Sequence, residues 1–216
     1  MNNRLGQIKP IHLKVFLLII YAVGVVGITC YPDRFISLTP FNLLLTCALL
    51  MVYYPVNNPQ FIRYAIFLFT AGFAVEMLGV QTGKIFGNYY YGYALGYKLK
   101  DVPLIIGVNW VMLILATHSI AHKLSQHMFI GPAIGAALMV FLDYFIEQVA
   151  SQYAFWHWHQ DVIPLQNYIA WFIISFLFHG LGYVLNFKKE NSMAVFIFVL
   201  QLSFFIILNL VNFFHQ

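Results

Sequence analysis

Charge is what this chain has least of. Only 8% of its 216 residues are Asp, Glu, Lys or Arg, whereas 62% are hydrophobic. A soluble domain carries about a quarter charged residues, so this chain lacks the charge to coat a water-facing surface. With a mean hydropathy of +0.79 it reads as an integral membrane protein. Eleven basic residues against seven acidic ones leave a net charge of +4. That excess is assigned to loops that set membrane orientation rather than to a nucleic-acid patch. Cysteine is scarce as well. Cys30 and Cys47 lie in apolar segments, read as small core residues, and say little about redox compartment. The first apolar run lacks an A-x-A-like cleavage site and is long enough to span, so it is taken as a helix and not a removable signal.

Missing motifs exclude several chemistries. The sequence has no DDxxD-type acid cluster, which argues against Mg-dependent prenyl-diphosphate transfer. It has no Gly-rich phosphate loop or dinucleotide fingerprint, and no elbow motif for Ser-His-Asp catalysis. Eight histidines raise the question of a di-iron hydroxylase or desaturase, but adjacent His pairs and repeated His boxes are missing. His118 and His122 share a helix face and His127 follows. These three fall at the opposite membrane side from His157 and His159, so no metal site is expected. His118, His122 and His127 read as an interfacial, solvated turn beside Lys123, and His179 as a core histidine bonded to a neighbour.

What is present is a series of apolar runs. A spanning helix needs about 20 mostly apolar residues, which predicts seven: 12–31, 38–55, 60–80, 103–122, 129–150, 167–187 and 192–214. The expected fold is an all-α integral membrane bundle of about seven transmembrane helices, one polytopic domain over residues 1–216. Tyr54-Pro55-Val56-Asn57-Asn58-Pro59 marks a turn, and Lys188-Lys189-Glu190-Asn191 separates the last two segments. The long connections are 81–102 and 151–166. An odd helix count without a repeat argues against a simple inverted repeat. Arg4, Lys9, Lys14, Arg63, Lys123, Lys188 and Lys189 fall on the N-terminal side. Arg34, Lys84, Lys98 and Lys100 fall on the other. Seven against four makes the N-terminal side cytoplasmic, and the cytoplasmic membrane the expected location.

Threading the segments alternately brings polar residues to the side opposite the N-terminus. Glu76 is near that end of the third segment, Asn109 and Trp110 of the fourth, and Asp143 and Glu147 of the fifth. Asn167 and Trp171 start the sixth. Asn42 and Thr46, and Asn209 and Asn212, also lie toward it. Acids inside a membrane are costly, face the bundle interior and mark function by default. Gly72, Glu76, Gly79 and Gly83 share one helix face, where small residues let a neighbouring backbone approach. Gly131, Gly135, Met139, Asp143 and Glu147 form a second row, with its glycines against another helix and its acids pointing into one space. The plainer alternative is that the acids only bond loops or pair with Lys84. Tyr89-Tyr90-Tyr91 and Trp156-His157-Trp158-His159 are denser than an aromatic belt requires. Electron-rich rings around an acid suit chemistry that passes through a carbocation.

The stretch EMLGVQTGKIFGNYYYG (76–92), with Leu95-Gly96 and DVPLIIGVNW (101–110), resembles the central motif of the carotenoid biosynthesis membrane-protein family. That family includes carotenoid 1,2-hydratases of the γ-carotene and bacterioruberin pathways. A second motif of the family corresponds to DYFIEQVA (143–150), WHW (156–158) and VIPLQNYIAW (162–171). Gln148 stands where the family has Pro after the Glu, and Ile163 splits its Val-Pro pair. The resemblance extends over about residues 72–171. It implies water addition to the terminal C1–C2 double bond of an acyclic carotenoid end group, such as that of γ-carotene or lycopene. It implies no metal or redox cofactor, and other carotenoid-pathway membrane enzymes as partners beside the lipid.

The resemblance does not identify the catalytic groups, so these follow from chemistry. Hydrating an unactivated trisubstituted alkene needs an acid at C2, a stabilised tertiary cation at C1 and a positioned water. Burial and a second carboxylate nearby both keep a carboxyl protonated. Asp143 and Glu147, one turn apart, fit as acid and base, with Glu76 able to take either role. Tyr89, Tyr90, Tyr91 and Trp156 would flank the cation, and Asn109, Trp110, Trp158, Asn167 and Trp171 complete the expected substrate-binding set. A carotenoid end-group cyclase or isomerase would begin with the same protonation. A non-enzymatic carotenoid-binding scaffold or a transporter is the reading from a different class, although a transporter needs polar residues at mid-membrane.

Overall fold

The computed structural model describes residues 9–186 and 191–215. Arg4, Lys188 and Lys189, and residue 187 at the end of the sixth predicted segment, lie outside the described residues. Among the described residues, seven helices are long and apolar enough to cross a membrane. They are α1 (Pro10–Cys30), α2 (Pro32–Phe35) continuing into α3 (Thr39–Met51), α4 (Pro59–Thr82), α5 (Ile105–Leu124), α6 (Ile130–Ala150), α7 (Leu165–Val184) and α8 (Ser192–His215). The chain is an all-α membrane bundle. Proline sets several starts, because its fixed φ suits the first turn and its missing N–H costs nothing there. Pro10, Pro32 and Pro59 each open a helix. Asn58 caps α4 by accepting from the Gln60 N–H at 2.9 Å.

The second crossing departs from expectation. It runs Pro32–Met51 instead of 38–55, with a 3₁₀ turn at Ile36–Leu38. Pro32 starts the helix early, and Tyr53 and Tyr54 turn back onto the carbonyls of Leu50 and Met51. Cys47 is buried, but Cys30 is exposed at the end of α1 and is not the core residue its apolar segment suggested.

α5 is the axis of the bundle: fourteen of its twenty residues are buried. It is apolar over most of its circumference, as suits a helix surrounded by others, and α3, α4, α6 and α8 pack around it. Tyr54 donates to the Leu115 carbonyl at 2.8 Å and Tyr64 to the Phe178 carbonyl at 2.9 Å. These bonds tie α5 and α7 to their neighbours.

The two long connections are not featureless loops. β1 (Tyr89–Tyr91) pairs antiparallel with β4 (Trp156–Trp158), in the register Tyr89↔Trp158, Tyr90↔His157 and Tyr91↔Trp156. β2 (Lys98–Leu99) and β3 (Val102–Pro103) form a hairpin. Its two turn residues, Lys100 and Asp101, both have positive φ, the requirement of a type I′ turn. Gly83 closes α4 in the left-handed conformation, φ 65°. Gly92 has a different reason to be glycine: a Cβ there would collide with the Ala154 backbone. Its N–H donates to the Phe155 carbonyl at 2.9 Å, joining the two connections.

Candidate active site

Glu76 on α4 and Asp143 and Glu147 on α6 line one cavity of about 30 Å³. All three are buried. Fourfold spacing puts both α6 acids on the same face, and α7 brings Asn167 to them. The Asn167 amide donates to Asp143 Oδ2 at 3.1 Å and to Glu147 Oε1 at 2.9 Å. Glu147 Oε2 accepts from the indole N–H groups of Trp158 at 2.7 Å and Trp156 at 2.9 Å. Glu76 Oε2 accepts from the phenols of Tyr89 at 2.6 Å and Tyr91 at 2.7 Å, and its Oε1 accepts from the Trp110 indole at 3.2 Å.

The partners of these acids are neutral donors. Lys84 is not among them; the Gln166 amide reaches its carbonyl instead. Glu76 and Glu147 each accept three hydrogen bonds, the pattern that favours a carboxylate, whereas among the described residues Asn167 is the one donor bonded to Asp143. Burial, and next the Glu76 carboxylate, push the Tyr89 and Tyr91 phenols well above their ordinary value. They stay protonated and donate.

Strand alternation explains which aromatics reach the site. Tyr89, Tyr91, Trp156 and Trp158 line the cavity, while Tyr90 and His157 stack on the opposite face at 5.1 Å. Tyr90 is therefore outside the site to which a continuous Tyr-Tyr-Tyr run assigned it: a period of two turns the middle residue away. Asn109, Asn167 and Trp171 line the cavity. Trp110 stands behind it, stacked on Trp171 with centroids 4.3 Å apart. Phe86, Ile106 and Ile146 also line it. No signal singled them out, because apolar residues in an apolar chain look like ordinary packing.

The glycine rows differ in their use. Gly72 and Gly79 leave room for aromatic rings, those of Trp110 and Phe86, not for a neighbouring backbone as their spacing suggested. Gly131 and Gly135 do lie against another helix, beneath Tyr183 and His179 of α7. Asn209 and Asn212 do not join the acids. Asn209 ties α8 to the Phe145 carbonyl at 2.8 Å, and Asn212 accepts from Tyr153 at 2.9 Å.

At the other end of the bundle, His179 is the core histidine expected, its ring nitrogens 2.7 Å from the Ser175 carbonyl and 2.9 Å from Thr117 Oγ1. His118 is not in a solvated turn. It is 4% exposed, with its ring against those of His179 and Tyr183, because α5 continues past it to Leu124. His127 is exposed and accepts from the Phe129 N–H at 3.3 Å.

A family model for carotenoid biosynthesis proteins matches residues 39–216. No curated protein and no solved structure matches. The matched residues include every residue lining the acid cavity, and they imply a role in carotenoid biosynthesis with carotenoid substrates. The chain, matched over most of its length, belongs to the carotenoid biosynthesis protein family.

Proposed function

We propose that the protein hydrates the terminal C1–C2 double bond of an acyclic carotenoid end group, such as that of γ-carotene or lycopene. The observation that carries this reading is the shared cavity. Three buried acids with unequal hydrogen bonding surround a space of about 30 Å³, and a buried water needs about 10–15 Å³ on this measure. There is room for the water and little more, so the walls must part to admit an isoprenyl end.

Asp143, bonded only through Asn167, is the proton donor. Its O–H breaks as a C–H bond forms at C2, leaving the cation at C1. Water attacks C1, and Glu147, its charge held by two indoles and an amide, takes the proton that the water loses. Transfer of that proton back to Asp143, one turn away, resets the pair. Glu76 holds a second fixed negative charge, and the rings of Tyr89, Tyr91, Trp156 and Trp158 face the cation. Such rings contribute about 0.5–2 kcal/mol each where water is excluded. No step draws on a metal or redox cofactor.

The seven helices act as one domain in the cytoplasmic membrane, with the N-terminus on the cytoplasmic side. That orientation rests on the basic residues of the whole sequence, Arg4, Lys188 and Lys189 included. Expression in a carotenoid-producing host tests the reaction, with mass spectrometry of the pigments. A product heavier by one water is expected, and Glu147→Gln should remove it. An isomer of equal mass would replace hydration by cyclisation. An unchanged profile, with the protein present and lycopene available, would point to a binding scaffold or transporter.

A further inference from the structure

A second cavity, of about 400 Å³, lies between α1, the α2–α3 crossing and α8. That is the size of a ligand site, typically about 300–1,000 Å³ and mostly apolar with a few convergent polar groups. Five phenylalanines line it: Phe16, Phe35, Phe155, Phe204 and Phe205. Its lining residues Phe16, Ile19, Val23 and Leu38 are also exposed on the outer surface of the bundle, so its mouth faces lipid.

One wall is polar. The Tyr21 hydroxyl lies 3.2 Å from that of Thr46, and the Gln201 amide donates to Tyr21 at 3.4 Å and toward the Met112 sulfur at 3.5 Å. Asn42 lines the same cavity, and its Oδ1 is a buried acceptor with no donor bonded to it. Such an atom is costly to bury unless something donates to it. Helix α1, which closes this cavity, lies outside the residues matched to the family. The cavity borders the acid site at consecutive residues, Phe155 lining one and Trp156 the other.

We propose that the α1–α3–α8 cavity is a second binding site, for a linear polyene bearing a hydroxyl. A turn of the Asn42 amide brings Oδ1, covered in this structure, to the cavity, where it accepts from the hydroxyl, and the phenylalanines pack along the conjugated chain. The choice of ligand rests on the hydration proposed above, whose product is such an alcohol; the site itself stands on the cavity and its unbonded acceptor.

The test uses purified protein in lipid nanodiscs, titrated with lycopene or its 1-hydroxy-1,2-dihydro derivative. The readout is circular dichroism induced in the polyene band. The alcohol is expected to bind about tenfold more tightly than the hydrocarbon, and a Glu76→Gln/Asp143→Asn variant to retain that preference. Asn42→Leu should bring the two ligands within twofold. Gly24→Phe should abolish the signal: a Cβ at Gly24 meets Phe204 at an ordinary 3.5 Å, so the ring can enter the cavity without moving backbone. Thermal midpoints of both variants near wild type show that they fold.

Equal binding of the two ligands, or a signal that survives Gly24→Phe, would overturn the proposal. Loss in the acid variant alone would move the ligand to the acid site and do the same. Displacement by a tenfold excess of hexadecanol would assign the site to any long-chain alcohol of the bilayer and overturn the polyene. If the host test yields no hydrated pigment while this binding pattern holds, the site stands and its ligand comes from another enzyme.

Discussion

The cavity among α4, α6 and α7 has space of about 30 Å³ and walls of acid, phenol and indole. The one among α1, α3 and α8 has about 400 Å³ and walls of phenylalanine and aliphatic side chains. In the first, each Glu carboxylate accepts three hydrogen bonds, which orient it before any ligand arrives. In the second, the polar groups are few and one acceptor is left over. The two cavities are therefore suited to different tasks. Buried charge is tolerated only where hydrogen bonds replace water, so a site holding three acids must be small and fully organised. A site that holds a long apolar chain needs volume and one polar anchor.

The largest expected effect separates the two cavities. Asp143→Asn keeps the bond with Asn167 possible but removes the transferable proton. General acid catalysis contributes about 10²–10⁴-fold, so pigment hydration should fall at least about a hundredfold while polyene binding in the large cavity persists. Hydration at wild-type yield by the purified variant would refute the assignment. Gly92→Ala is expected to disturb both cavities at once. Its Cβ would press on the Ala154 backbone, displacing the segment from which Phe155 and Trp156 diverge. Such overpacking costs about 1–3 kcal/mol, visible as a lower thermal midpoint; an unchanged midpoint would mean that the connections adjust freely.

Tyr89→Phe and Tyr91→Phe each remove one of three donors from Glu76. A bond to a charged group is worth about 1.5–3 kcal/mol, so each should lower hydration roughly tenfold or more without touching the large cavity. The same phenols give a pH signature. Their folded values lie above the ordinary one, so the folded state holds these protons more tightly than the unfolded state. Their contribution to stability should be level below about pH 10 and be lost above it, so that the alkaline fall is less steep in the double Phe variant. Thermal melts across alkaline pH measure this. Tyr90→Ala should have the smallest effect, under about twofold on hydration, because its ring packs on His157 outside the cavity. A loss as large as that of Tyr89→Phe would mean that the outer face takes part.

The acids were legible in the sequence because a carboxylate in an apolar segment is conspicuous, and helical spacing alone placed Asp143 beside Glu147. The helices were legible for the same reason, through long uncharged runs. The β1–β4 pairing was not: it joins residues far apart in the chain, and three tyrosines in a row show no alternation of polarity to mark the turned-out one. His118 was misread because Lys123 and His122 nearby suggested water, whereas its own face of α5 meets α7. The large cavity left almost no trace. Its walls are the commonest residues of the chain, Gln201 is one amide in a long apolar run, and only the packing of α1 against α8 makes a space of them.

All four tryptophans of the chain stand at the acid site: Trp156, Trp158 and Trp171 in the cavity wall, and Trp110 on Glu76. Intrinsic indole emission therefore arises from one place, with no background from the rest of the molecule. The protein carries its own optical probe. Arrival of a conjugated chain near those indoles would quench them by energy transfer, and arrival of a proton on Glu147, to which two of them donate, would shift their colour. The order of binding and chemistry is thus open to stopped-flow measurement on unlabelled protein.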